Sequence, residues 1–188
     1  SDERMAAVIT FDPDNIDAAF AELDARYLAG EAAPHADTWS VIARTIHAAN
    51  RHELPSTTPD WVSVNHQRLI AFEPGGLKDY IRSSWDDMPA GRTYVEAVHR
   101  LTDRGAVITH TAEGTTPGGF AAEWRGIDIM MIEGELISRS EMFDEDDLDT
   151  ALVRFDELSR STPQLQNAAS RVLERFQACF AARDWDET

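Results

Sequence analysis

One cysteine, Cys179, is present in 188 residues, so no disulfide can close within the chain, a usage that suits a reducing cytoplasm. Basic residues are also scarce. Seventeen Lys and Arg stand against 34 Asp and Glu, a formal charge of −17, and such a surface repels anionic polymers. Neither nucleic acid nor a membrane is therefore expected as a partner. Apolar runs are short, and none approaches the roughly 20 residues that a spanning helix needs. The chain opens SDER, without the basic start and apolar stretch of a targeting segment, as a mature protein or an excised fragment would.

Chemical motifs are missing as well. The sequence has no GxGxxG, no Walker loop and no GxSxG element, so nucleotide-dependent and serine-hydrolase chemistry find no support. Its six histidines show neither HxH nor HExxH spacing, and a single cysteine cannot build a thiolate cluster. No metal and no cofactor are expected.

What the chain does have is a repeat. The segment FDPDNIDAAFAELDAR from Phe11 returns 132 residues later as FDEDDLDTALVRFDEL from Phe143. The same offset sets Ala36, Ala49 and Arg51 against Ala168, Ala181 and Arg183. A repeat of this kind is read before any fold assignment. It divides the chain into 1–31, the strand and helix that end a preceding unit; 32–162, one complete domain; and 163–188, the first helix of a following unit. Much of the acidic excess has a plain origin, because Asp12, Asp14, Asp17 and Glu145, Asp146, Asp147 sit at helix starts, where the helix dipole favours them.

Residues 4–11, RMAAVITF, read as a strand, followed by a helix with Ile16, Ala19, Phe20, Leu23 and Tyr27 on one face and Gly30 at its end. A longer helix from about Ala36 to Arg51 carries Trp39, Ile42, Ala43, Ile46 and Ala49 in its apolar stripe, and its copy runs from about Ala168 to Arg183. WVSVNHQR (61–68) reads as a strand and PGGLKDYIRSSW (74–85) as a short helix with Leu77, Tyr80, Ile81 and Trp85 on one side. Strands at 93–101, 105–114, 120–133 and 136–143 follow, joined by turn signals, and a helix from Leu148 closes the unit. Consecutive hairpins predict an α+β architecture with an antiparallel sheet and helices on one face.

The segments NAASRVLERFQACFAARDWD (167–186), WVSVNHQRL (61–69) and GELISRSEMFDEDDLDTALVRFDEL (134–158), in this order of elements, resemble the nuclear transport factor 2-like superfamily and its SnoaL-like branch, with a complete domain over about 35–158. The resemblance implies a cone-shaped curved antiparallel sheet wrapped around a long helix, with a pocket at its open end. It also implies a bacterial origin in a large multidomain protein. Members include polyketide cyclases, isomerases, dehydratases and hydrolases, beside others that only bind ligands or partners, so the fold does not set the function. One departure bears on the pocket wall: PSTTPD leads directly to Trp61, without the short extra helix that often follows the first long one.

Within that frame Asp128 is the first candidate base. By alternation it shares a face with Trp124, Met130 and Ile132, where a charge is costly unless paired or functional; the plainer reading pairs it with Arg125 or Arg139. His66 and Arg68 share a strand face with Val62 and Val64, opposite Trp61, Ser63, Asn65 and Gln67, and either set could line the pocket; a structural role for the histidine is the alternative to a catalytic one. His99 and His110 lie on facing hairpin strands and could approach each other as a structural pair. Tyr80, Trp85, Tyr94 and Trp124 could wall a flat apolar ligand, the tyrosines offering hydroxyls to an oxyanion, or simply fill a core. Glu141 is the last-strand acid of the resembling motif, and its copy in the preceding unit is Ile9. Repeats that differ at this position argue against one chemistry shared by every copy.

Three functions are compatible with these residues. The first is a module that binds a small apolar molecule or regulates its parent protein. The second is a cofactor-free enzyme of the cyclase, isomerase or hydrolase type, with Asp128 or His66 as general base and Tyr80 or Tyr94 steadying an oxyanion. The third is a dimerising spacer. The enzyme needs a closed pocket holding Asp128 beside a donor, the binding module needs an apolar pocket, and the spacer needs a filled one. The partial copies, lacking the rest of their units, are expected to pair as a homodimer or an exchanged assembly.

Overall fold

The computed structural model describes residues 8–12, 15–68, 72 and 75–160. The chain divides into two compact units, Ser1–Leu152 and Val153–Thr188. In the first, helices α1 (Ile16–Ala29) and α2 (Ala36–Ala49) precede strand β1 (Thr57–Asn65), and helix α3 (Leu77–Asp87) leads into β2 (Arg92–Thr102), β3 (Gly105–Thr115), β4 (Ala121–Glu133) and β5 (Leu136–Asp144). Helix α4 (Leu148–Arg160) begins in the first unit and continues into the second, where an ion pair of 3.2 Å joins Arg154 to Glu157. No helix among the described residues is long and apolar enough to cross a membrane.

The five strands form one sheet in the order β1-β5-β4-β3-β2. The hairpin strands are antiparallel, as the turn residues require; β1 instead runs parallel to β5, pairing Ser63 with Ser140 and Asn65 with Met142. The sheet is therefore mixed, not antiparallel throughout. Parallel entry is possible because β1 and β5 are separated by α3 and three strands, enough chain to return to the starting end. β1 also starts earlier than its hydrophobic run, since Thr57–Asp60 already belong to it. Pro59 is tolerated there because β1 is an edge strand with an irregular register between Thr57 and Val62.

Helix α2 packs its apolar stripe on one sheet face. Trp39, Val41, Ile42 and Ile46 meet Ala106 and Ile108 of β3, Met130 of β4 and Ile137 of β5 in one buried cluster, with Trp61 and Val95 against its margin. Full burial of side chains this size contributes roughly 1.5–3 kcal/mol each, which makes this cluster the main anchor of the fold. Beyond the end of α2, Asn50 bonds both backbone groups of Thr93, donating at 2.8 Å and accepting at 2.7 Å. A side-chain amide thus pairs with the open edge of β2.

Two expectations for the ends need correction or fall outside. Val8–Phe11 is exposed and forms no strand; the matching sequence at 140–143 lies in β5, which β1 and β4 flank. Residues 4–7 and the helix expected at 168–183 lie outside the described residues.

Candidate functional site

A cavity of about 140 Å³ lies between α2, α3 and the sheet. Its α3 wall follows from helical spacing, because Leu77, Tyr80, Ile81 and Trp85 recur at three and four residues and so share a face. Its floor comes from strand alternation, which turns Trp124, Asp128 and Met130 of β4, and His110 and Ala112 of β3, to the same side. Ala49 of α2 and Met142 of β5 complete the apolar lining.

Two charged side chains sit in this apolar setting. His110 Nδ1 lies 2.8 Å from Asp128 Oδ2, with side chains only 8% and 13% exposed. The contact is off the ring N–H direction, so it is an ion pair more than an aligned hydrogen bond. Asp128 Oδ1 and Gln67 Oε1, on two residues that line the cavity, are buried acceptors without a hydrogen-bond partner among the described residues. Burial draws the His110 pKa down, but the negative charge of Asp128 and its contact outweigh that and leave it above the ordinary imidazole value. Burial, and then the Asp128 charge, raise the Tyr80 pKa. Tyr80 therefore stays a protonated donor near neutral pH.

Gly126 makes the arrangement possible. It stands opposite His110 in the ladder, and a Cβ there would lie 2.9 Å from His110 Cε1 and 3.3 Å from Gln67 Nε2. Only glycine leaves room for the imidazole over β4.

No protein-family model matches the sequence, and no curated protein does. Solved structures do match in fold. AclR from Streptomyces galilaeus, assigned as a hydroxylase, is similar over 80% of this chain and 99% of its own, with 15% identity and a TM-score of 0.50. A SnoaL-like polyketide cyclase from a Jannaschia species matches over 62% and 91%, with 11% identity and a TM-score of 0.46. A nuclear transport factor 2-like protein from an Exiguobacterium species matches over 56% and 98%, with 10% identity and a TM-score of 0.44. The chain shares the fold of AclR.

On this frame the structure gathers four of the residues singled out from the sequence, Tyr80, Trp85, Trp124 and Asp128, into one cavity. The other four lie elsewhere. Tyr94 faces a different cavity, stacked on Phe20 at 5.3 Å. Arg68 is exposed and paired with Asp144 at 2.6 Å and Asp147 at 3.5 Å. Glu141 is fully buried but bonded to His66 Nε2 at 2.8 Å and Arg139 at 2.9 Å. His66 stacks on Phe143, their centroids 4.2 Å apart. Strand parity explains the last two: Ser140 and Met142 of β5 line the cavity, so Glu141 between them points to the opposite face. The same parity settles β1, where Trp61 and Ser63 turn inward and Gln67 beyond them reaches the cavity, leaving His66 outside.

Asp128 pairs with neither Arg125 nor Arg139, which hold Glu96 and Glu141 instead. Its partner is His110, and His110 does not meet His99. Glu96 and His99 are extra residues at two bulges of β2, so His99 bonds Thr109 at 2.7 Å while His110 opposes Val95. A signal for His110 was present in the alternation Ala106, Ile108, His110, Ala112, which places it on the core face.

Proposed function

We propose that the α2–α3–sheet cavity binds a small apolar molecule about the size of one six-membered ring and bearing a hydroxyl or amine hydrogen. The observation that carries this reading is a pair of buried acceptors without a partner among the described residues, Asp128 Oδ1 and Gln67 Oε1, on residues of a mostly apolar lining. An unsatisfied buried acceptor costs about 1–3 kcal/mol, so a ligand that donates to it recovers that energy on binding. Size supports the same class, since an apolar cavity of roughly 150 Å³ takes up benzene and this one has about 140 Å³. An unfilled cavity of this kind also speaks against a simple spacer.

A second reading gives the site a proton-transfer role as a cofactor-free enzyme. Asp128 would take a proton from a carbon beside a carbonyl group, the charge developing on the carbonyl oxygen being met by the Tyr80 hydroxyl. Support for it comes from the position of Asp128, held by His110 in a mostly apolar pocket with one oxygen free of hydrogen bonds among the described residues.

Calorimetric titration with phenol, toluene and 2-naphthol tests the binding reading. Phenol should bind at least tenfold more tightly than toluene, which lacks the donor, and 2-naphthol should be excluded by size; equal binding of phenol and toluene would refute it. Deuterium uptake by cyclohexanone in D2O tests the second, with a catalysed rate expected for the native chain and lost in Asp128→Asn.

A further inference from the structure

A second cavity, of about 350 Å³, is lined by α1, α2 and β2. It lies within the size range of small-molecule sites and shares only Ile46 and Thr93 with the first cavity. Its walls carry four aromatic rings in two pairs. Phe20 stacks on Tyr94 with centroids 5.3 Å apart, and Tyr27 meets Trp39 edge to face at 4.8 Å.

Three carboxylates line this cavity, and they differ in what balances them. Asp17 is paired with Arg92, and Glu96 with Arg125 at 2.7 Å. Among the described residues, no permanent cation is paired with Asp24. Its Oδ1 accepts from the Trp39 indole N–H at 3.2 Å and its Oδ2 lies 3.1 Å from His47 Nε2. The remaining lining cation, Arg51, is engaged by Glu53 at 2.9 Å. Asp24 is thus a partly desolvated negative charge held by an indole N–H and the His47 imidazole, in a cavity that Phe20, Tyr27 and Tyr94 also line. Burial raises its pKa against the opposing effects of His47 and Trp39, which agrees with a charge that its neighbours compensate incompletely.

We infer that this cavity is a binding site for an organic cation, a quaternary or protonated amine on an aromatic or apolar body. The ammonium group takes the place of the missing permanent countercharge at Asp24, and the rings supply both apolar contact and cation–π attraction, worth about 0.5–2 kcal/mol per ring. The net charge of −17 adds long-range attraction for cations and none for anions. The site is independent of the first cavity and of any chemistry at Asp128.

The test is titration of the full chain with benzyltrimethylammonium, with benzyl alcohol as its neutral counterpart, at constant ionic strength. Binding is followed by calorimetry and by the NMR resonance of the Trp39 indole N–H, which reports the contact to Asp24. The cation should bind, move that resonance, and bind at least fivefold more weakly to Asp24→Asn. Ala21→Trp, which alters an exposed lining position of α1 and does not threaten the fold, should weaken it by a similar factor. Glu22→Gln removes one surface charge from the same helix outside the cavity and should leave binding unchanged. No binding, equal binding of benzyl alcohol, an unmoved Trp39 resonance, or equal losses in Asp24→Asn and Glu22→Gln would each overturn the inference.

Discussion

His110 and Asp128 are diagonal neighbours across the β3–β4 ladder, with Nδ1 of one 2.8 Å from Oδ2 of the other. Each is in a place where an isolated charge is strongly disfavoured, so each is held by its partner. Because the folded His110 pKa is raised above the ordinary imidazole value of 6.5, the folded state binds more protons between 6.5 and the higher folded value. The stabilisation from this group is complete below 6.5 and is lost as the pH rises through the folded pKa. Asp128→Asn removes the charge that raises it and leaves burial, which lowers it. Urea unfolding should therefore show the native chain exceeding Asp128→Asn by on the order of 3 kcal/mol near pH 6 and by clearly less near pH 9. A gap that is constant or grows with pH would contradict the ion pair.

Gly126→Ala tests the room made for that imidazole. The added methyl group would meet His110 Cε1 at 2.9 Å and the Phe143 carbonyl oxygen at 3.4 Å. Overpacking of this kind costs about 1–3 kcal/mol, to be read from denaturant unfolding, and it should also displace the His110 ring resonances. An unaltered His110 spectrum would show that the glycine is not what admits the ring.

Glu141 is expected to behave as a structural acid. With no exposed surface and bonds to both His66 and Arg139, its removal in Glu141→Ala should lower stability by about 3 kcal/mol or more. Phenol affinity should not change, because the side chain points away from the cavity. A stable Glu141→Ala with altered phenol binding would place the acid in the site.

Much of the fold was legible in the chain. The strands from Arg92 to Asp144 follow their turn residues closely, and α2 and α3 follow their apolar spacing, because local rules govern hairpins and amphipathic helices. The direction of β1 was not legible, since alternation fixes which side chains share a face and says nothing of which way a strand runs. The site was half legible for a related reason. Asp128, Trp124, Tyr80 and Trp85 lie on elements whose periodicity turns them inward. Tyr94 was lost because α1 and the bulges of β2 build a separate cavity there, and Glu141 because one residue of parity on β5 carries it to the other face. The His110 pairing needed the diagonal register between β3 and β4, which depends on where the Pro117–Gly119 turn falls.

The central claim is that a one-ring donor ligand sits over Asp128 and His110. The measurement that tests it most directly is the NMR spectrum of the His110 ring during titration with phenol. A saturable shift of the His110 ring signals is expected, with the Trp39 indole N–H unmoved, and loss of the shift in Asp128→Asn. Saturable binding that leaves His110 unchanged, or that moves Trp39 instead, would contradict it.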